Sequence, residues 1–352
     1  MSKGNPDLPR PIVTFAKMTK APFWVTWITP AVFGYFASAD GDFHQLPWFV
    51  FLCVTWSIAE GTCNVHNDLV DMEEDEINQP HRARRFASLI EAWGVRRLWQ
   101  IVFAGYALAG LTVVLMWVYV DPVVAISFIY LGAQVIFYNF GLRLKRRPGY
   151  VEATLVIAGV ASFMLGWAWH RSAWDMPVVA WVLAYFMAVT VFSKDLPDTV
   201  GDEAVDAPSI FSIRTPQRLR AALVFIYLSP YALILVLVLA GQLEQRLLLM
   251  GLLMPVGAWF ALAVDSLRSL EAKVAAYHLA FTYGHLFILA LFVLSVPERG
   301  AYIAAGALLL ARLATLALRL DPRLVEPDFT SWSSAIRALV REQRVRPSLV
   351  RS

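Results

Sequence analysis

Charge is scarce in this chain. Only 16% of its 352 residues are Asp, Glu, Lys or Arg, against roughly a quarter in soluble domains, which excludes an ordinary water-soluble fold. Cysteine is scarcer still. Cys53 and Cys63 are the only two, and both fall in one apolar stretch, which excludes a disulfide framework and leaves two small apolar side chains. The first 19 residues are polar and proline-bearing and lack the charged, apolar and small-residue order of a cleaved leader, so none is expected. No low-complexity linker divides the sequence, and a single helical domain is the simplest expectation. The net formal charge is only +3, so the placement of the charges matters more than their sum.

Apolar residues are abundant: 58% of the chain is hydrophobic, with 13 Trp and 22 Phe and a mean hydropathy of +0.56. A helix needs about 20 residues to cross a bilayer. Stretches of this kind lie near residues 21–38, 47–65, 97–118, 122–140, 151–169, 177–193, 219–240, 247–264, 274–295 and 301–318, the last interrupted by Arg312. The expectation is an all-α, polytopic membrane bundle of nine or ten transmembrane helices. Its parts are a cytoplasmic N-terminal segment (1–20), a transmembrane domain (21–320) and a basic cytoplasmic tail (321–352). The tail is expected to be solvated, with Arg337–Arg341 as a short amphipathic alternative lying on anionic lipid.

With the N-terminus in the cytoplasm, the cytoplasmic segments collect nearly all of the 30 Lys and Arg residues. The opposite face keeps Arg171, Arg246 and Arg299, and Arg312 lies within a span. So strong a bias fixes the orientation by the positive-inside rule.

Two acid-rich segments close hydrophobic stretches on that cytoplasmic face. The first is Asn67-Asp68-x-x-Asp71-x-x-x-Asp75; the second is Lys194-Asp195-x-x-Asp198-x-x-x-Asp202. Ionised carboxylates at a membrane are costly and read first as functional. On a helix, Asn67, Asp71 and Asp75 follow an i, i+4, i+8 ladder with Asp68 beside Asp71, and Asp198 and Asp202 repeat the spacing. Pro197 is expected to bend the second segment. Facing carboxylate ladders repel unless a cation lies between them. Mg²⁺ is the natural one, because it binds through carboxylates while sharing its other positions with phosphate oxygens. Arg82, Arg84 and Arg85 follow the first ladder, Lys194 opens the second, and Arg143, Lys145, Arg146 and Arg147 fill the loop between the fourth and fifth stretches. Arg forks suit phosphate, although Arg146 and Arg147 are expected only to satisfy topology. Acids for a metal and bases for phosphate on one membrane face fit a lipid-soluble diphosphate ester. The seven-residue spacing of His278 and His285 puts them on one helix face, where a buried structural role is expected. His66 and His81 flank the first motif and are not expected to be ligands of a hard ion.

These motifs carry a family resemblance. Asn67-Asp68-x-x-Asp71-x-x-x-Asp75 followed by Asn78-Gln-Pro-His-Arg82 resembles the first signature of the intramembrane UbiA prenyltransferase family. Lys194-Asp195-x-Pro197-Asp198-x-x-Gly201-Asp202 resembles its second signature in the homogentisate-type form, and Tyr138-x-x-x-x-Arg143-x-Lys145 its middle loop. The resemblance spans about residues 15–295. It implies helices around a central cavity open laterally to lipid, and Mg²⁺-dependent transfer of a prenyl group from a prenyl diphosphate to an acceptor, usually aromatic. It also implies Asn67, Asp71, Asp75, Asp198 and Asp202 as catalytic metal and diphosphate contacts. Arg82, Arg143, Lys145 and Lys194 would bind diphosphate, Tyr138 would help orient it, and Asp68 and Asp195 would be secondary contacts. Three features depart from the pattern: Gln79-Pro80-His81-Arg82-Ala83 after the first motif, a middle loop without its usual prolines, and a tenth apolar stretch. The expected function is therefore a membrane prenyltransferase acting on an aromatic or quinone-precursor acceptor. A cyclase that turns the prenyl chain on itself is the enzymatic alternative, and a cation-coupled transporter the non-enzymatic one. Expected partners are prenyl diphosphate, an aromatic acceptor and membrane lipid, without nucleic acid. The expected location is a prokaryotic plasma membrane with the site facing the cytoplasm.

Overall fold

The structure is a computed structural model that describes residues 11–78, 80–139, 150–190, 193, 196–197, 213, 215–324 and 329–344. Among these residues every regular element is a helix. In chain order they are α1 (Pro11–Met18), α2 (Ala21–Ala39), α3 (Leu46–Val70), α4 (Met72–Asn78), α5 (Pro80–Trp93), α6 (Val95–Tyr119), α7 (Pro122–Asn139) and α8 (Tyr150–Trp167). They continue with α9 (Val178–Thr190), α10 (Pro216–Leu239), α11 (Met254–Ala263), α12 (Leu270–Ser295), α13 (Arg299–Ala317) and α14 (Trp332–Arg344). Proline sets several starts, in the first turns of α2, α3, α10 and α11, where its missing N–H costs nothing. Gly94, at φ 79°, turns the chain between α5 and α6, a backbone conformation that a side chain would resist.

Each of the ten apolar stretches is mostly helical where it is described. Among the described residues six spans are long and apolar enough to cross a membrane: Leu46–Val70, Val95–Tyr119, Gln217–Leu239, Gln245–Ala263, Leu270–Ser295 and Arg299–Ala317. Three shorter apolar helices accompany them, Pro122–Gln134, Ala153–Trp167 and Val178–Thr190. The chain is an integral membrane protein. α2 is the most enclosed early helix, packing on α8, α13, α12 and α3.

The closest helix contact in the bundle is the α2–α8 crossing, and two glycines set it. A Cβ built on Gly34 would fall 2.1 Å from the Phe163 carbonyl oxygen, and one on Gly166 would fall 1.9 Å from that of Ala31. Small residues at such crossings let backbones approach where lipid offers no hydrophobic drive. Around the crossing, Phe33 packs edge-on to Phe163 (5.3 Å between centroids) and against Phe292 of α12 (5.2 Å). Phe186 of α9 stacks on Phe287 of α12 at 3.7 Å.

The C-terminus departs from the solvated tail expected of its charge. α14 is a helix docked on α12, burying Ala335 and Leu339, with Phe329 buried just before it. Its Glu342 carboxylate accepts from the N–H groups of Arg268 (2.6 Å) and Ser269 (3.2 Å) and from the Ser269 hydroxyl (2.5 Å). Those donors stand at the start of α12, where helical N–H groups lack internal partners and a carboxylate is favoured.

Replacing Gly34 or Gly166 by Ala forces α2 and α8 apart and is expected to cost about 1–3 kcal/mol. Thermal unfolding in detergent reports this as a lower Tm. Gly306→Ala, where an added Cβ meets nothing within 4 Å, leaves Tm unchanged.

Candidate active site

α3 carries the first acid motif to the end of an apolar helix. Its lipid-facing side is marked by the exposed Trp48, Val50, Val54 and Ile58. Glu60, Asn64, Asn67 and Asp71 follow i, i+4, i+7 and i+11 on the opposite side, forming one polar stripe. α3 ends at Val70, but the ladder continues through the junction. The Asp71 N–H donates to the Asn67 carbonyl (2.8 Å), and the Asp75 N–H donates to the Asp71 carbonyl (2.8 Å). Asn67, Asp71 and Asp75 therefore keep helical register from α3 into α4.

Asp68 turns inward from this stripe and is 2% exposed. The Lys20 ammonium donates to its Oδ1 at 3.0 Å, and Arg82 Nη2 contacts the same oxygen. Arg82 Nη1 donates to Asp75 Oδ1 at 2.9 Å. All four side chains are largely withdrawn from solvent, and such a cluster is held only if each charge has its partner. Burial lowers the Lys20 pKa from the ordinary lysine value, against the pull of Asp68. Lys20 is also one of three non-glycine residues at positive φ (53°) among those described, a left-handed conformation costing about 1 kcal/mol. Residues held in such conformations concentrate at functional sites.

The far end of the chain fixes the turn that follows Lys20. The Phe23 N–H donates to the Lys20 carbonyl at 2.9 Å. Arg312 of α13, 1% exposed, donates from Nη1 to the Pro22 carbonyl at 2.5 Å. The Arg323 guanidinium lies over the Tyr277 ring (4.6 Å) and near that of Phe23 (5.9 Å). Asp321 is fully buried, with Oδ2 4.0 Å from His278 Nε2. Asn64 adds a tie from α3, donating from Nδ2 to the Thr19 carbonyl at 3.2 Å. The interruption of the tenth apolar stretch by Arg312 thus has a structural use, and His278 belongs to this buried cluster. His285 Nδ1 lies 3.4 Å from the Thr29 hydroxyl. His66 Nδ1 lies 2.5 Å from the Tyr106 hydroxyl, on the far side from the acids.

The structure brings Asn67, Asp68, Asp71, Asp75 and Arg82 together. The Arg82 guanidinium, expected at the diphosphate, is held here by Asp68 and Asp75. Tyr138 lies in the last turn of α7, with its side chain outside the described residues, and Arg143, Lys145, Lys194, Asp195, Asp198 and Asp202 lie outside them as well. Leu196 and Pro197, both buried, are described. Among the described residues no group of three or more His, Cys, Asp or Glu is placed to hold a metal ion. What α3 and α4 do supply is one amide and two carboxylates in register, a hard oxygen set with the chemistry Mg²⁺ requires. The Asp68 Oδ2 atom is buried with no hydrogen-bond partner among the described residues. Among the aromatic residues, Phe163 and Trp167 stack on one another (5.8 Å) in the core, and Trp169 packs there with Tyr35. The Tyr185 hydroxyl donates to Ser229 at 2.7 Å. Lys20, Glu60, Asn64, Arg312, Asp321 and Arg323 escape motif reasoning; only Glu60 and Asn64 carried a usable signal, their helical register with Asn67.

The sequence matches the UbiA prenyltransferase family over residues 27–285. An all-helical membrane bundle with this acid ladder at its edge is the class of protein that the family comprises, and the chain belongs to it. Among solved structures it is similar to a UbiA homolog from Archaeoglobus fulgidus bound to GPP and Mg²⁺. That likeness has a TM-score of 0.54 and 16% sequence identity, and covers 78% of this chain and 99% of the other. No curated protein sequence matches. The helices α13 and α14 lie beyond the family match.

Removing either partner of the Lys20–Asp68 pair leaves a buried charge uncompensated. Lys20→Met and Asp68→Asn are each expected to cost about 3 kcal/mol or more. The double variant should cost clearly less than the two together, as a double-mutant cycle of unfolding free energies would report.

Proposed function

We propose that this chain is a membrane prenyltransferase that uses Mg²⁺ and a prenyl diphosphate to prenylate an aromatic or quinone-precursor acceptor. The observation that carries the reading is the run of Asn67, Asp71 and Asp75 on one side of α3 and α4, at the charged end of an apolar bundle. Family membership and the fold shared with a homolog bound to GPP and Mg²⁺ support it. Asn67, Asp71 and Asp75, with Asp198 and Asp202 of the second motif, would hold the metal. When bound, Mg²⁺ neutralises charge that develops on the departing diphosphate.

This chain's own residues do the remaining work. Asp68 places the Arg82 and Lys20 charges beside the ladder without exposing its own. Arg143, Lys145 and Lys194 supply cations for diphosphate oxygens, and Tyr138 orients that loop. Asp195 stands next to Lys194 as a secondary contact. The apolar helices keep water from the allylic cation left by ionisation, and aromatic faces stabilise it. Trp27 of α2, Phe186 of α9 and Phe281 of α12 line a small apolar cavity suited to part of a prenyl chain. An electron-rich ring carbon of the acceptor then attacks C1, diphosphate having left with the C1–O electron pair, and the ring regains aromaticity by releasing that carbon's proton. The Lys and Arg bias supports a site on the cytoplasmic face of the membrane, taken to be a prokaryotic plasma membrane.

Detergent-purified protein is expected to release diphosphate from C10, C15 or C20 prenyl diphosphates only with Mg²⁺ and an aromatic acceptor, giving a prenylated ring by mass spectrometry. A cyclic hydrocarbon or terpene alcohol formed without acceptor would instead establish a cyclase. Asp71→Ala is expected to lower kcat by about 100-fold or more, and wild-type turnover in that variant would overturn the site assignment.

A further inference from the structure

Glu60 is the carboxylate that the proposed mechanism leaves unused. It sits in the middle of α3, ten residues and about 15 Å from that helix's charged end, too far for its side chain to reach the interface. It also stands opposite the lipid-facing Val54 and Ile58. An ionisable group at that depth is a functional site by default. Among the described residues no hydrogen bond or ion pair holds its carboxylate. Lys20, the cation at the turn before α2, is bound to Asp68.

Two further observations say what the carboxylate faces. It shares the polar stripe of α3 with Asn67 and Asp71, so it lies beneath the metal-binding ladder, about 10 Å deeper into the bilayer. It also opens on a cavity of about 30 Å³ between α3 and α7, otherwise lined by Trp56, Ala59, Cys63, Phe128, Leu131 and Gly132. A space of that size takes a hydroxyl or amino group, or one water, and no aromatic ring. Apart from Glu60, its lining includes the Trp56 indole, whose Nε1–H is buried with no partner among the described residues, and otherwise offers little to a polar group.

We infer that Glu60 recognises the polar end of the acceptor, and that the acceptor carries a hydroxyl or N–H donor there rather than a carboxylate. This rests on the transferase reading above. With its ring near C1 of the prenyl chain, an aromatic acceptor extends its far substituent down the stripe to the carboxylate. A donor there pairs with Glu60 in a dry site, where such bonds are strong. An acceptor carboxylate would meet a like charge with no cation beside it among the described residues to bridge them, a repulsive element that selects among acceptors.

The test compares para-hydroxybenzyl alcohol, para-hydroxybenzylamine and para-hydroxybenzoate as acceptors at saturating C10 diphosphate and Mg²⁺, in wild type, Glu60→Gln and Glu60→Ala. In wild type, KM for the alcohol and the amine should lie about tenfold or more below that for the benzoate. Glu60→Ala should raise KM for both donors about tenfold, with kcat and the KM for prenyl diphosphate changing far less. Glu60→Gln should keep the alcohol and lose the preference for the amine, and it decides the matter if Glu60→Ala does not fold. A KM for the amine within twofold of wild type in Glu60→Gln, or a wild-type preference for the benzoate, would overturn the inference. Failure of the wild type to prenylate any acceptor while releasing diphosphate would overturn the transferase reading, and this inference with it. Loss confined to the Glu60 variants cannot be mistaken for that outcome.

Discussion

The buried ion cluster of Lys20, Asp68, Arg82 and Asp75 is the constraint on which the rest of the site depends. Two cations and two carboxylates are withdrawn from water at the edge of an apolar bundle, so each can persist only while the others are in place. That requirement ties three separate parts of the chain together: the turn before α2, the end of α3 and the start of α5. It also separates two roles within one motif. Asp68 faces inward and holds cations, while Asn67 and Asp71 lie along the polar stripe, on a different side of the helix.

The cluster depends in turn on the C-terminal part of the chain. Lys20 takes a strained left-handed conformation, and the first turn of α2 that follows it is gripped by Arg312 and Arg323. Those arginines belong to segments beyond the residues that match the family. The docking of α14 on α12, capped by Glu342, keeps those segments in place. A part of the sequence with no counterpart in the family match thus helps to set the geometry of the part that has one.

Much of this arrangement could be read from the sequence, and the remainder could not, for physical reasons. The ten apolar stretches and the i, i+4, i+8 ladder are local patterns, and local patterns survive into structure. Lys20 gave no sign, because a lone lysine before a proline-bearing helix is what membrane topology alone would supply. Arg312 looked like a flaw in an apolar stretch, since its acceptor, the Pro22 carbonyl, lies 290 residues away. The C-terminal helix was masked by its arginines, which read as a basic tail. Its apolar residues nevertheless stand at helical spacing, Trp332, Ala335 and Leu339, and periodicity weighed above charge would have found it. Glu60 was readable in principle, seven residues before Asn67, but lies outside any recognised motif. The segments carrying Asp198, Asp202, Arg143 and Lys145 fall outside the described residues, and their place in the site rests on the sequence pattern.

The polar stripe of α3 is proposed to bind a diphosphate through Mg²⁺. The most direct measurement is equilibrium binding of a non-hydrolysable prenyl thiodiphosphate to the purified full chain by calorimetry, with Mg²⁺ and with EDTA, in wild type and in Asp71→Asn. The account predicts saturable binding that requires Mg²⁺ and is lost in the variant while the protein stays folded. Binding of equal strength in EDTA, or unchanged in Asp71→Asn, would contradict it.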